Sequence, residues 1–241
     1  MSAIYIDPNG PAYMTSNENL RYVTGLTRGA KNILTIAASG DQALFYTLAG
    51  ATNVDTFDVL DTARTTQDIK TTAISCLSYP EYISMLKKIR HNPAENIPEI
   101  VRQNLPPRSA TDLKVLRFRT GVRNVSALPT PDEYARLQAA IHHPFSFIRK
   151  DLENIHKCVV GPYDVINISN IFDRGYMFEI DKQMATLKNL GPLLNVGGRI
   201  VYDNQMGRPY NGMVIQTPDM ELRHQRESTT GTDIDLFIRT R

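Results

Sequence analysis

Three short stretches hold side chains whose types and spacing could do chemistry. In the first, the β-branched run NILTI (32–36) ends on Ala37-Ala38-Ser39-Gly40, and Asp41-Gln42-Ala43 then opens a helical spacing. Residues without bulk at a strand end leave backbone amides open to a ligand, and the helix start that follows favours a carboxylate or phosphate. Ala38, Ser39, Gly40, Asp41 and Gln42 are therefore candidate binding residues. Gly40 alone does not make a GxGxxG turn, and no GK[ST] follows, so pyrophosphate-binding and nicotinamide chemistry are disfavoured.

The second stretch is NVDTFDV (53–59), where Asp58 ends the next strand, one turn–helix unit downstream. An acid at that place can accept both hydroxyls of a ribose; the alternative is a cap on the following helix. The third is NISNIFD (167–173), which puts Asn167, Ser169 and Asn170 at the end of another apolar strand, with Asp173 just beyond. Two amides and a hydroxyl are costly there unless something binds them, although turn chemistry uses the same residues. Asn167 is assigned to ligand binding; Ser169, Asn170 and Asp173 are candidates for the reacting face, with Asp173 as proton acceptor. Asp151, after FSFIRK (145–150), could accept from an adenine amino group or cap the turn at Leu152-Glu153. Tyr79, Tyr82 and His143 are weaker proton acceptors, since helix-face tyrosines normally pack. Cys76 and Cys158 and the five histidines show no metal-ligand spacing, so no metal is expected.

The elements that must position these groups read as an α/β chain. Thr15-Ser16-Asn17-Glu18 looks like the start of a helix over residues 15–30, capped by Thr15 or Ser16. Residues 32–59 form a strand–turn–helix–strand unit, the beginning of a doubly wound, mostly parallel sheet. Residues 71–145, with eight of the chain's fourteen prolines between 80 and 145, read as a mainly helical insertion that shapes the acceptor site. Strands return at FSFIRKDL and YDVINISNI, then a helix, then RIVYDNQ. The tail offers two strands, GMVIQTP and DIDLFIRTR, separated by a polar stretch. Residues 1–241 are taken as one domain.

The segments LTIAASGDQALFYTLAGATNVDTFDV, IKTTAISCLSYPEYISML and YDVINISNIFD resemble the betaine-lipid-type S-adenosylmethionine:diacylglycerol 3-amino-3-carboxypropyltransferase family, over residues 15–90 and 147–205. The resemblance implies a Rossmann-like class I methyltransferase fold and S-adenosylmethionine as cofactor. It also implies transfer of the aminocarboxypropyl group to a small-molecule or lipid acceptor. Two motifs depart: the family's Asp-Asn-Pro-like sequence is Asp58-Val59-Leu60-Asp61, and its Asp-Trp is Asp173-Arg174 in a chain without tryptophan. Methyl transfer is the alternative reaction, and a non-catalytic nucleoside-binding or interaction module the alternative of another class.

The net charge of +2 is too small to imply nucleic acid, and Lys87-Lys88-Ile89-Arg90 and Arg117-Phe118-Arg119 read as solvated faces, so no nucleic-acid partner is expected. No apolar run approaches the ~20 residues that cross a bilayer. The first fourteen residues lack a basic flank and an apolar core, so no secretion signal is expected. With two distant cysteines, the expectation is a cytoplasmic protein.

Overall fold

The computed structural model describes residues 12–89, 92–116, 118–120, 127–173, 179–205, 207, 210, 212–229 and 232–241. In chain order the elements are β1 (Ala12–Tyr13), α1 (Leu20–Leu26), β2 (Asn32–Ile36), α2 (Asp41–Leu48), β3 (Asn53–Asp58) and α3 (Asp61–Cys76). Then come α4 (Tyr79–Lys88), α5 (Pro93–Asn96), α6 (Glu99–Asn104), α7 (Pro107–Asp112), β4 (Phe118–Thr120), α8 (Pro131–Ala140) and β5 (Ser146–Arg149). The chain closes with β6 (Tyr163–Ser169), α9 (Ile180–Leu190), β7 (Leu194–Asp203), β8 (Val214–Thr217), β9 (Met220–Thr229) and β10 (Thr232–Arg239).

Eight strands make one sheet in the order β5-β3-β2-β6-β7-β10-β9-β8. The first five are mutually parallel, and β10, β9 and β8 are joined antiparallel. The inner strands β2 and β6 read as largely apolar runs because both faces are covered. Alternate residues point to opposite sides. Leu34, Phe57, Ile166 and Ile200 pack with Leu187 and Leu190 of α9, while Ile33, Val54, Val165 and Val201 pack with Val23 of α1 and Ala43 and Tyr46 of α2.

Between β3 and β5 the helices α3 to α8 build a separate apolar cluster around Ile69, Tyr82, Met85, Val101, Tyr134 and Leu137. Its foundation, α3, is buried along most of its length despite being rich in threonine and carrying Asp61, Arg64, Asp68 and Lys70. Three hydroxyls resolve this locally: Thr65, Thr66 and Thr71 donate to the carbonyls of Asp61, Thr62 and Gln67 at 3.1, 2.7 and 3.1 Å. Back-bonded in this way, a threonine presents its methyl group outward.

Two expectations need correction. The N-terminal helix is not residues 15–30 but Leu20–Leu26, because Asn19 supplies the cap, its side chain accepting from Tyr22 N. Residues 15–18 fold instead as a strap over the sheet, with Ser16 N bonded to Asp41 at the start of α2 and Glu18 bonded to Ser169 at the end of β6. The tail holds three strands rather than two, since the polar stretch between the expected pair is β9. Residues 1–11 lie outside the described residues.

Candidate active site at the carboxyl rim

The sheet order reverses at β2, whose neighbours β3 and β6 are reached by connections leaving in opposite directions. In such sheets the crevice beyond the strand ends at this point is where ligands bind. Here the backbone is strained as well as open. Ala38 after β2 and Ser169 ending β6 have φ of 43° and 54°, the only non-glycine residues with positive φ among those described. Such conformations cost about 1–3 kcal/mol each and persist where the surroundings over-determine them.

Asp58 ends β3 beside this turn. Its two oxygens accept from Ala38 N and Leu60 N, both at 3.0 Å. Burial pushes its pKa up to about 6, although hydrogen bonds from the amides of Leu60, Ala38 and Val59 favour the ionised form. The carboxylate therefore holds the β2 turn in shape. Because each oxygen has a second lone pair, it can still accept from a ligand at the rim.

The small residues of the turn answer first to packing. Gly40, at φ 81°, starts α2, and a Cβ there would lie 3.0 Å from Gln67 Cα in α3. Helix α3 backs directly onto the turn, so the short side chains make room for protein as well as for any ligand. Gly40→Ala combines a left-handed φ with a backbone contact and is expected to cost about 1–3 kcal/mol. A urea midpoint unchanged from wild type would show that the turn adapts.

Asp41 and Ser39, expected at a cofactor's amino-acid end, are engaged by the protein. Asp41 Oδ2 accepts from Ser16 N at 2.7 Å and Ser39 Oγ at 2.9 Å, and its Oδ1 meets Lys70 Nζ at 2.5 Å. This buried pair clamps strap, turn and α3 together, and its charge is spent internally. Asp151 is likewise a cap, accepting from Asn154 N at 2.9 Å and Asn154 Nδ2 at 2.8 Å. Tyr82 is buried in the insertion core against Tyr134, and Tyr79 meets the same ring edge-on, so both pack. His143 is exposed.

The remaining candidates do gather at the rim. Asn167 Oδ1 accepts from Ser169 N at 2.9 Å, while Asn167 Nδ2, Asn170 Nδ2, Gln42 Oε1 and both amide atoms of Gln67 are buried with no hydrogen-bond partner. Asp173 accepts from Tyr202 Oη at 2.5 Å and Gln205 N at 3.0 Å, which brings the end of β7 to the same edge. Ala38 is half-buried within the turn.

Residue types and spacing did not single out Glu18, the most perturbed carboxyl here. It is buried, bonded by the Ser169 hydroxyl, and its pKa is pushed up to about 8 by burial and then by Asp203, with Gln42 opposing and Asp41 adding. Asp203, ending β7, is itself raised by burial and by Asp173. A first-turn acid and a buried one look alike in sequence, so only the strap's path over the sheet reveals Glu18. Also unforeseen is an ion network beside Asp58, in which Arg64, Arg108 and Arg149 converge on Asp61 at 3.3, 3.0 and 3.2 Å.

Among the described residues, no three histidine, cysteine or acidic side chains form a metal-binding group, and no helix is long and apolar enough to cross a membrane. Lys87 and Lys88 are exposed at the end of α4; Arg90, Arg117 and Arg174 lie outside the described residues.

No protein-family model matches the chain, and no curated protein matches it in sequence. Its fold does match solved structures. Two structures of the rRNA methyltransferase aviRa from Streptomyces viridochromogenes align with TM-scores of 0.51 and 0.50 at 12% identity, over 98% of this chain and 89% of that one. The N-methyltransferase NodS from Bradyrhizobium japonicum WM9 aligns with a TM-score of 0.41 at 11% identity, over 91% of each chain. This likeness does not single out the aminocarboxypropyl-transferring family. The expected acceptor, a small molecule or lipid to the exclusion of nucleic acid, is corrected: aviRa, named for rRNA, shares the fold, so the exclusion of nucleic acid falls. With five parallel strands, a reversed terminal strand and helices on both faces, the chain has the Rossmann-like class I methyltransferase fold.

Proposed function

We propose that the chain is an S-adenosylmethionine-dependent methyltransferase, with its cofactor across the carboxyl rim of β2, β3 and β6. The observation that carries this is the set of buried, unpartnered amide atoms at the switch point, on Gln42, Gln67, Asn167 and Asn170, beside a carboxylate at the end of β3. Buried polar groups are rarely left unpaired, and a polar ligand would satisfy them. The fit is to a nucleoside rather than to a nucleotide: Asp58 suits ribose hydroxyls, and the turn has Gly40 alone in place of the glycine set that admits a pyrophosphate.

S-adenosylmethionine, when bound, supplies a methyl group already activated by its sulfonium. The chain then has to orient and desolvate rather than activate. Asp58 would accept from the ribose, the Ala38–Gly40 backbone would line the turn, and Gln42 and Asn167 would bind the cofactor's polar end. Ser169, Asn170 and Asp173 would face the acceptor, with Asp173 able to hold its proton. Methyl transfer is preferred to aminocarboxypropyl transfer because the fold is shared with an enzyme named as a methyltransferase. RNA is the first acceptor class to try, by the same likeness.

Calorimetric titration with S-adenosylmethionine and S-adenosylhomocysteine tests the cofactor. Incubation with total RNA tests the reaction: S-adenosylhomocysteine as the by-product marks methyl transfer, and methylthioadenosine marks transfer of the aminocarboxypropyl group. Asp58→Ala removes charge-assisted hydrogen bonds of about 1.5–3 kcal/mol each, so affinity should fall at least tenfold. Unchanged affinity in a variant that still melts cooperatively takes Asp58 out of the site.

A further inference from the structure

Glu18 sits where β6 and β7 end and α2 begins. Its carboxyl meets the Ser169 hydroxyl of β6 and the Gln42 side chain of α2, and Asp203 of β7 acts on it through space. Among the described residues, the titratable groups that also act on it or on its neighbours include Asp41, already clamped by Lys70 of α3, and Tyr46 of α2, held un-ionised by burial and by Glu18 itself. The carboxylates Asp203 and Asp41 both oppose its ionisation. The same cluster holds the unpartnered Oε1 of Gln42 and Nδ2 of Asn167, both on residues no more than 2% exposed, and the strained backbone of Ser169. A place that gathers acids and leaves polar atoms unmatched suits a ligand that is both polar and cationic. The two nucleosides of the proposed reaction differ in just this respect, since the sulfonium substrate carries one positive charge more than its thioether product.

We infer that Glu18 is a charge sensor for the nucleoside: it is a neutral acid in the free protein, gives up its proton when the sulfonium cofactor binds, and recovers it when the thioether product replaces it. The inference rests on the cofactor reading above. The proton passes to solvent, leaving a carboxylate opposite the sulfonium, and no other bond changes. Once the methyl group has gone the countercharge is lost, and the buried carboxylate becomes unfavourable until it is reprotonated. Product release is thereby favoured over substrate release.

Titration calorimetry at pH 7 in phosphate and in Tris reads the proton directly from the buffer dependence of the heat. The wild-type protein should release about one proton with S-adenosylmethionine and none with S-adenosylhomocysteine. In Glu18→Gln the release should vanish, and the preference for the sulfonium form over the thioether should fall at least tenfold. As a check that needs no variant, the infrared band of the protonated carboxyl should disappear with S-adenosylmethionine and persist with S-adenosylhomocysteine. Binding of S-adenosylmethionine without proton release, or release that survives in Glu18→Gln, overturns the sensor and leaves the cofactor reading intact. No heat with either nucleoside overturns the cofactor reading and the sensor with it.

Discussion

Replacing Lys70 by Met should lower the unfolding free energy by about 3–5 kcal/mol, because it strands a buried carboxylate. The Lys70 and Asp41 side chains are 1% and 2% exposed and meet at 2.5 Å. Burial drives the Lys70 pKa down and Asp41 drives it back up, so the cation persists only because its partner is there. Two further donors, Ser16 N and Ser39 Oγ, reach the same carboxylate, but neither supplies a countercharge. Removing the lysine alone therefore costs far more than removing the pair. The double variant Asp41→Asn/Lys70→Met should regain most of the loss, since a neutral amide still accepts from Ser16 and Ser39. Urea denaturation of the two single variants and the double closes the cycle. A loss below about 1 kcal/mol in Lys70→Met would mean that the pair contributes little to holding the fold. The effect is not confined to stability, because this clamp holds the strap, the β2 turn and α3 in register. Amide exchange over Ser39–Gln42 should accelerate in Lys70→Met before global unfolding does.

The parallel strands and the rim were legible because their physics is local. NILTI and YDVINIS are buried on both faces, so continuous apolar runs betray them without help from distant residues. Asp58 could be placed at a strand end from pattern alone, and it is there. What escaped the sequence depends on long-range pairing. The strand β9 reads as polar because its inward positions include His224 and Arg226, which both bond Asp235 of β10 at 2.8 Å. A buried ion pair across two strands erases the apolar alternation by which strands are recognised. Helix α3 was legible as helical, but its burial was not, since nothing in a run of threonines states which way their hydroxyls turn. The Asp41–Lys70 clamp joins residues 29 apart with no periodic relation, and it engages within the protein two side chains expected to meet a ligand.

Glu18→Gln should stabilise the protein at pH 8.5 by on the order of 4 kcal/mol and leave it nearly unchanged at pH 4. In the unfolded chain Glu18 ionises near its ordinary 4.5; in the folded protein burial and the carboxylate of Asp203 hold it protonated to about 8. Between those limits the folded state binds the extra proton. The stability that Glu18 contributes is thus fully present below 4.5 and is lost as pH rises towards 8. Asp58 acts with the same sign over a lower window, from its ordinary 3.8 to about 6, because it too is raised by burial. Urea unfolding from pH 4 to 9 separates the two. The wild type should lose stability across the whole interval, and Glu18→Gln should level off by about pH 7, once Asp58 has passed through its half-ionised point at about 6. A glutamine oxygen can accept from Ser169 as the carboxyl does, so the contact survives while the charge does not. If the wild-type curve is flat between pH 6 and 8.5, or if the variant keeps the upper slope, Glu18 is already ionised in the folded protein. In that event it has no proton to give up to a sulfonium, and the charge sensor falls by a measurement that involves no ligand at all.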